Sequence, residues 1–273
     1  MKGDETMKAL DFEYAGRKLS SYGMILCKFG SDGGVETLSD GSEITFNTIP
    51  VLGGTKHRLV STTYDSCLET TLQICKYSCA GDIREITATE HREITKWLNR
   101  KNFLKFKFLD ENNIDLYHEA IINISKIEID GKLMGLELNV FTNRPFALHE
   151  PRTIVINNTK SNGTYSLNDT SYEEGYIYPF MEITVHQSGD LKIHNAIEDR
   201  STFIGKCVAG EIITMDYPVI QSSLSSSEHD LNNNFNWNFF RIANTYENSR
   251  NDLTISLPCT IKIKYSPIVK VGL

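Results

Sequence analysis

The chain has 273 residues, 40% hydrophobic, 10% aromatic and 23% charged, which fits a soluble globular protein of one large or two ordinary domains. Its formal charge of -7 argues against a general nucleic-acid binder, and no apolar run approaches a membrane span. Six cysteines in so long a chain read as buried free thiols of a reducing cytoplasm rather than a disulfide scaffold. The opening MKGDETMKAL lacks the apolar core of a signal peptide. Met7 is a candidate original start, which would make residues 1–6 an addition.

In chain order, DFEYAGRKLSSYG contains a short hairpin signal at Ala15-Gly16-Arg17, and residues 31–34 read as a Gly-rich loop. Ile44, Phe46 and Thr48 then alternate with Glu43, Thr45 and Asn47, and VLGGT at 51–55 reads as a turn or exposed tip. Two strands are predicted over 58–64 and 68–75, the second with Leu68, Thr70, Leu72 and Ile74 on one side. The clearest helix signal begins at Thr87, which forms a capping box with Glu90. Ile94, Trp97 and Leu98 make its apolar face, and Arg100 and Lys101 suit the negative end of its dipole. After Asn102 the period changes to two, with Leu104, Phe106 and Phe108 alternating with Lys105 and Lys107 in a strand.

Residues 120–142 form a long hairpin around the turn signal Asp130-Gly131. That turn pairs Ile127 with Met134. A bulge near Ser125-Lys126 then brings Ile124 opposite Leu136 and Ile122 opposite Leu138. Pro145 and Pro151 interrupt the pattern between Asn143 and Arg152, so a boundary is expected there, with domains of 1–145 and 146–273. The second half shows no helix signal, and its short alternating runs predict a β-sandwich. Met181, Ile183 and Val185 share a face with Leu191 and Ile193, which predicts a hairpin over Gln187-Ser188-Gly189 with Glu182 facing His194. Leu253, Ile255, Leu257, Cys259, Ile261 and Ile263 alternate along one last strand, which Pro258 places at an edge or a bulge. Residues 222–227 read as a mobile serine-rich loop.

Few residues suggest chemistry. Residues 110–115 lack the glycine of a calcium loop and read as a turn. Cys67, Cys75 and Cys79 with His57 and His91 could supply a zinc site, but without a paired C-x-x-C they also fit buried strand thiols. Cys207 with His194 or His229 can be drawn as nucleophile and base, though no strand-to-helix elbow marks the cysteine. Lysines and phenylalanines near 101–107 fall on opposite faces of their strand, unlike an RNA-stacking platform. FNWNFF at 235–240 is the densest aromatic cluster; it reads as a core strand with Trp237 buried, or as a sugar-stacking platform with Trp237 exposed. Phe239-Phe240 suggest one ring inward and one outward. No catalytic, cofactor-binding or metal residue is assigned, and no cofactor is expected.

The opening DFEYAGRKLSSYG, the helix ending KWLNRK before LKFKFL, the hairpin ending in TNRPF and the terminal NFFRIANTYENSRNDLTISLPCTIKIKYSPI resemble the distal tail proteins of long-tailed phages and phage-tail-like particles of Gram-positive bacteria. The resemblance runs over nearly the whole chain from Met7 and rests on the order of segments rather than a catalytic motif. It implies a mainly β fold: an N-terminal β-domain with one helix and a long β-hairpin, then a galectin-like β-sandwich. It further implies a non-enzymatic hub, made in the bacterial cytoplasm and placed in the virion tail. Six copies would form a ring joining the tail tube to the tip protein and receptor-binding proteins, with DNA passing through without specific binding and no membrane contact. The alternative from another class is a carbohydrate-binding module for adsorption to the host cell wall.

Overall fold

The structure is a computed structural model that describes residues 11–27, 29, 44–64, 67–77, 83–109, 115–245 and 247–271. Met7, the 31–34 loop, Cys79 and residues 110–114 lie outside this set. Two compact units divide the chain, Met1–Leu148 with Lys270–Leu273 and His149–Val269. Among the described residues, no helix is long and apolar enough to cross a membrane.

The first unit contains β1 (Phe12–Tyr14), β2 (Arg17–Lys18), β3 (Met24–Cys27), β4 (Ile44–Pro50), β5 (His57–Tyr64), β6 (Glu69–Tyr77), β7 (Ile83–Arg84), α1 (Ala88–Leu98), β8 (Leu104–Phe108), β9 (Leu116–Ile129) and β10 (Lys132–Thr142). The antiparallel sheet order is β2-β1-β8-β9-β10-β6-β3, and β4 and β5 pair apart as a two-stranded ribbon. Ala15 and Gly16, both at positive φ, turn β1 into β2.

The capping box is formed: Glu90 N donates to Thr87 Oγ1 at 3.3 Å and Thr87 N donates to Glu90 Oε2 at 2.9 Å. Glu90 also takes Lys76 Nζ at 2.5 Å, which with Thr87 holds its carboxyl down at about 2. Ile94, Trp97 and Leu98 pack with Phe12, Tyr14, Phe106, Ile122, Leu136 and Leu138 in one core. At the helix end Arg100 Nε donates to the Trp97 carbonyl at 3.0 Å.

The long hairpin turns at Asp130-Gly131, both at positive φ. Its bulge is on the other strand from the one expected. The register shifts between Leu133 and Gly135, so Ile127 opposes Gly135, Ile124 opposes Leu138 and Ile122 opposes Val140. An extra residue on either strand brings the apolar faces into phase, so alternation alone cannot choose. Packing chooses: a Cβ on Gly135 would lie 2.4 Å from the Phe29 ring and 2.8 Å from the Ile74 carbonyl oxygen.

β11 (Ala147–His149) follows the hairpin in the chain. The second unit is an antiparallel two-sheet structure built from β12 (Arg152–Asn158), β13 (Gly163–Asn168), β14 (Gly175–Ile177), β15 (Phe180–Val185), β16 (Gly189–Asn195), β17 (Arg200–Cys207), β18 (Ile212–Asp216), β19 (Val219–Ser222), α2 (Leu231–Asn234), β20 (Ile242–Asn244), β21 (Arg250–Ile255), β22 (Cys259–Tyr265) and β23 (Ile268–Val269). One sheet runs β12-β22-β15-β18-β19 and the other β13-β21-β16-β17, while β14 pairs with β20. The mainly β fold expected of the chain is the one observed. Single-turn α2, capped by Asp230 Oδ1 accepting from Asn232 N at 3.1 Å, is an addition the alternation did not announce.

Two strand assignments change. β15 and β16 are not a hairpin; they belong to different sheets, where Ile183 opposes Ile213 and Ile261, and Ile193 opposes Thr202 and Ile255. Their apolar faces share a core, as their phase requires, but across the two sheets rather than side by side. Glu182 accordingly pairs with Lys262 Nζ at 2.6 Å instead of facing His194. The last strand also divides: β21 and β22 lie in different sheets, with Pro258 in the crossing, and β22 is interior between β12 and β15. Leu253, Ile255, Leu257, Cys259, Ile261 and Ile263 are buried throughout, so the alternation survives the change of sheet.

Trp97 is 1% exposed, donates from Nε1 to the Tyr14 carbonyl at 2.8 Å and stacks on Tyr22 at 4.5 Å between centroids. Trp97→Ala is expected to cost about 3–5 kcal/mol in denaturant unfolding of the first unit; a change near zero would refute this role. His118 is buried, its Nδ1 has no hydrogen-bond partner among the described residues, and burial lowers its pKa from 6.5 to about 4. Between those values the unfolded chain holds more protons, so stability falls as pH drops from about 6.5 to about 4, by up to about 3 kcal/mol from this group. Urea melts of His118→Phe should lack that component; an unchanged acid slope would contradict it.

Candidate functional site

Among the described residues, those singled out for a metal do not gather into one set. Cys67 is exposed, Cys75 is buried in β6, His57 is on β5 and His91 is on α1. Among the described residues no three His, Cys, Asp or Glu side chains gather into a metal-holding set. Cys207 is a buried thiol pushed up to about 12 by burial and by the nearby Glu211 carboxylate. A thiol so raised is protonated at neutral pH and is a poor nucleophile. His229 is engaged at both nitrogens: Nδ1 lies 2.6 Å from Glu211 Oε1 and Nε2 lies 2.8 Å from the Gly205 carbonyl oxygen. His194 Nδ1 lies 3.1 Å from Ser201 Oγ.

Glu211 instead anchors the serine-rich segment. Its Oε1 accepts from Ser222 Oγ at 2.6 Å and its Oε2 from Val208 N at 2.9 Å. Ser223 Oγ accepts from Ile212 N at 3.0 Å, and Ser225 Oγ donates to Glu228 Oε2 at 2.7 Å. These bonds tie down the segment expected to be mobile. On β8, Phe106 is fully buried while Lys105 Nζ sits 4.6 Å over the Tyr117 ring, so cation and buried aromatic point apart as expected.

Two surfaces stand out among the described residues. The first is the β4–β5 ribbon, whose turn closes through Val51 N donating to the Lys56 carbonyl at 2.9 Å. It exposes Phe46 at 63%, with Ile49, Leu52, Leu59 and Val60. The exposed tip at 51–55 was legible; the exposure of the strands was not, because alternation normally signals one buried face.

The second surface is aromatic and lies in the second unit. Phe235, Phe239 and Phe240 are buried, whereas Trp237 is 55% exposed. This corrects both the core-strand reading of Trp237 and the expectation that one of Phe239 and Phe240 faces outward. The segment is a looped turn rather than a strand, with Trp237 at φ 58. Asn236 Oδ1 accepts from Phe203 N and Asn238 N, each at 3.1 Å, while Asn236 Nδ2 donates to the Ser201 carbonyl at 3.0 Å. A chain of ring contacts runs from Trp237 to Phe235 (5.6 Å), from Phe235 to Phe239 (5.0 Å), from Phe239 to Tyr217 (5.3 Å), from Tyr217 to Tyr178 (4.1 Å, stacked) and from Tyr178 to Tyr176 (5.5 Å). Arg241 lies over Tyr176 with Cζ 3.9 Å from the centroid, and its Nε donates to both Glu198 oxygens at 2.9 Å. The tyrosines were missed; the one signal for them was Tyr176 and Tyr178 two apart, on one side of an extended segment.

Residues 7–144 match the family described as Phage tail protein N-terminal domain, and residues 146–265 match that described as Phage tail C-terminal domain. The chain belongs to this phage tail protein family. No curated protein matches its sequence. Among solved structures it is similar to SPP1 Dit (gp 19.1), described as a paradigm of hub adsorption apparatus in Gram-positive infecting phages. That match has a TM-score of 0.60 at 11% identity, over 95% of this chain and 99% of that one. The distal-tail-like fold that the segment order implied is therefore present. In this phage tail protein, alkylation of the native chain at pH 8 should label Cys67 rapidly and Cys75, Cys207 and Cys259 only on unfolding. Preferential labelling of Cys207 would reopen the nucleophile reading.

Proposed function

We propose that the chain is a non-enzymatic hub of the tail tip, closed into a ring that joins the tail tube to the tip and receptor-binding proteins. The family membership and the fold shared with a hub protein support the setting. The observation that carries assembly is the β4–β5 ribbon. A two-stranded hairpin is marginal in water on its own, and this one exposes large apolar side chains along both strands. A neighbouring copy that covers them removes that cost, and cyclic closure does so without making fibres.

Within the 120–142 hairpin, β10 is engaged on both sides, by β9 and by β6. β10 pairs with β6 from Gly135 to Phe141. β9 pairs with β8 only as far as Ala120, so its outer edge from Ile121 onward, with Ile129 exposed, is the part left for outside contact. The ribbon is the better candidate arm.

Six is the ring size implied by the resemblance, giving about 185 kDa for six chains of 30.9 kDa. Obligate contacts of this kind bury upwards of about 2,000 Å² per interface. Light scattering, alone and with tail-tube and tip proteins, should report this mass. Phe46→Ser with Leu59→Ser should leave the melting temperature near wild type and abolish assembly. A wild-type chain that stays monomeric with both partners, or a double variant that still assembles, would overturn the proposal.

A further inference from the structure

The aromatic seam is unexplained by the hub reading and does not depend on it. Apolar rings are held partly in water at both ends: Tyr176 is 56% exposed, Tyr217 is 53% and Trp237 is 55%. The buried rings of Phe235 and Phe239 connect them from beneath. Trp237 adopts a left-handed backbone, uncommon for a bulky residue, and such strain costs on the order of 1–3 kcal/mol. Burial does not repay that cost, since half the indole faces solvent. What the conformation achieves is presentation: the asparagines on either side are bonded to the chain around Ser201 and Phe203, so the indole projects from a fixed turn.

The chemistry of the seam selects its occupant. Flat rings offer stacking surface for the C–H face of a pyranose, while the polar groups among them suit its hydroxyl edges. Arg241 is neutralised by its two bonds to Glu198, so this cation is not left for a phosphate or carboxylate. Tyr217 and Trp237 are linked through Phe239 and Phe235 by three ring contacts, each between 5.0 and 5.6 Å. The rings are already packed against one another, so little ordering is lost on binding. We propose that Tyr176, Tyr217 and Trp237 form a binding site for a neutral polysaccharide chain.

The two tryptophans make the test direct. Trp97 is buried in the first unit and Trp237 is exposed in the second, so only Trp237 should respond to a soluble ligand. The intact chain is titrated with N-acetylglucosamine hexamer, maltohexaose and the neutral polysaccharide fraction of a Gram-positive cell wall. At least one should give a saturable blue shift and protect the exposed indole from iodide quenching. By calorimetry Trp237→Ala and Tyr217→Ala should each weaken binding roughly tenfold, as loss of one stacking ring does elsewhere. Both variants should retain the wild-type melting temperature, which separates lost binding from lost folding. No binding of any of the three probes, or full binding by both variants, overturns the proposal. So does a blue shift that rises with protein concentration in the absence of sugar, which would make the seam a contact between copies. Ring assembly is read by mass, so either idea can fail while the other stands.

Discussion

One indole holds the first unit together. Trp97 is bonded through Nε1 to the Tyr14 carbonyl and lies flat against Tyr22 and Phe12, with interplanar angles of 12° to each. This joins the end of α1 to the hairpin that begins the sheet, a separation of 83 residues in sequence. The helix start is fixed separately by Thr87, Glu90 and Lys76, so its two ends are secured by different chemistry. A helix of 11 residues is too short to be stable by propensity alone. Its stability has to come from this packing, and the sheet in turn gains a covered face.

In the second unit the governing constraint is parity. Each strand commits alternate side chains to one interior, so the inward set can be read from the sequence even where the partners cannot. Met181, Ile183, Val185, Leu191 and Ile193 are all inward. Yet β15 and β16 lie in different sheets, because two strands that share a core can meet edge to edge or face to face with the same phase. Pro258 shows the same ambiguity. It removes a ladder donor, which is consistent with an edge, a bulge or a crossing; the inward run on both sides made a single strand look continuous. The bulge in the long hairpin adds a third case, decided by the fit of Gly135 against Phe29 rather than by pattern.

Elements with local chemistry were therefore the legible ones: the capping box, the Asp130-Gly131 turn, the buried helix face and the alternation of β8. The two candidate surfaces were only partly legible, for the opposite reason. Sequence pattern reports which side chains can be buried, and both surfaces consist of apolar residues that are not. In β4 the alternation of Ile44, Phe46 and Thr48 looked like a half-buried strand, although Ile44 and Phe46 are exposed in the single chain. Around Trp237 the density of aromatics looked like core, and three of the four rings in that segment do belong to it.

The two surfaces differ physically, and the difference bears on their partners. The ribbon carries flexible or branched aliphatic side chains with Phe46 on a pair of strands, at an exposure worth about 25 cal/mol for every Å² later covered. Its stabilisation grows with area and is insensitive to the exact partner surface, which suits a large, permanent contact between identical subunits. The seam offers little area but fixed geometry: stacked tyrosines, a guanidinium held by two bonds and an indole on a strained, hydrogen-bonded turn. Preorganisation of that kind contributes most where a ligand is small and the contact few-membered, since the cost of ordering has already been met in folding.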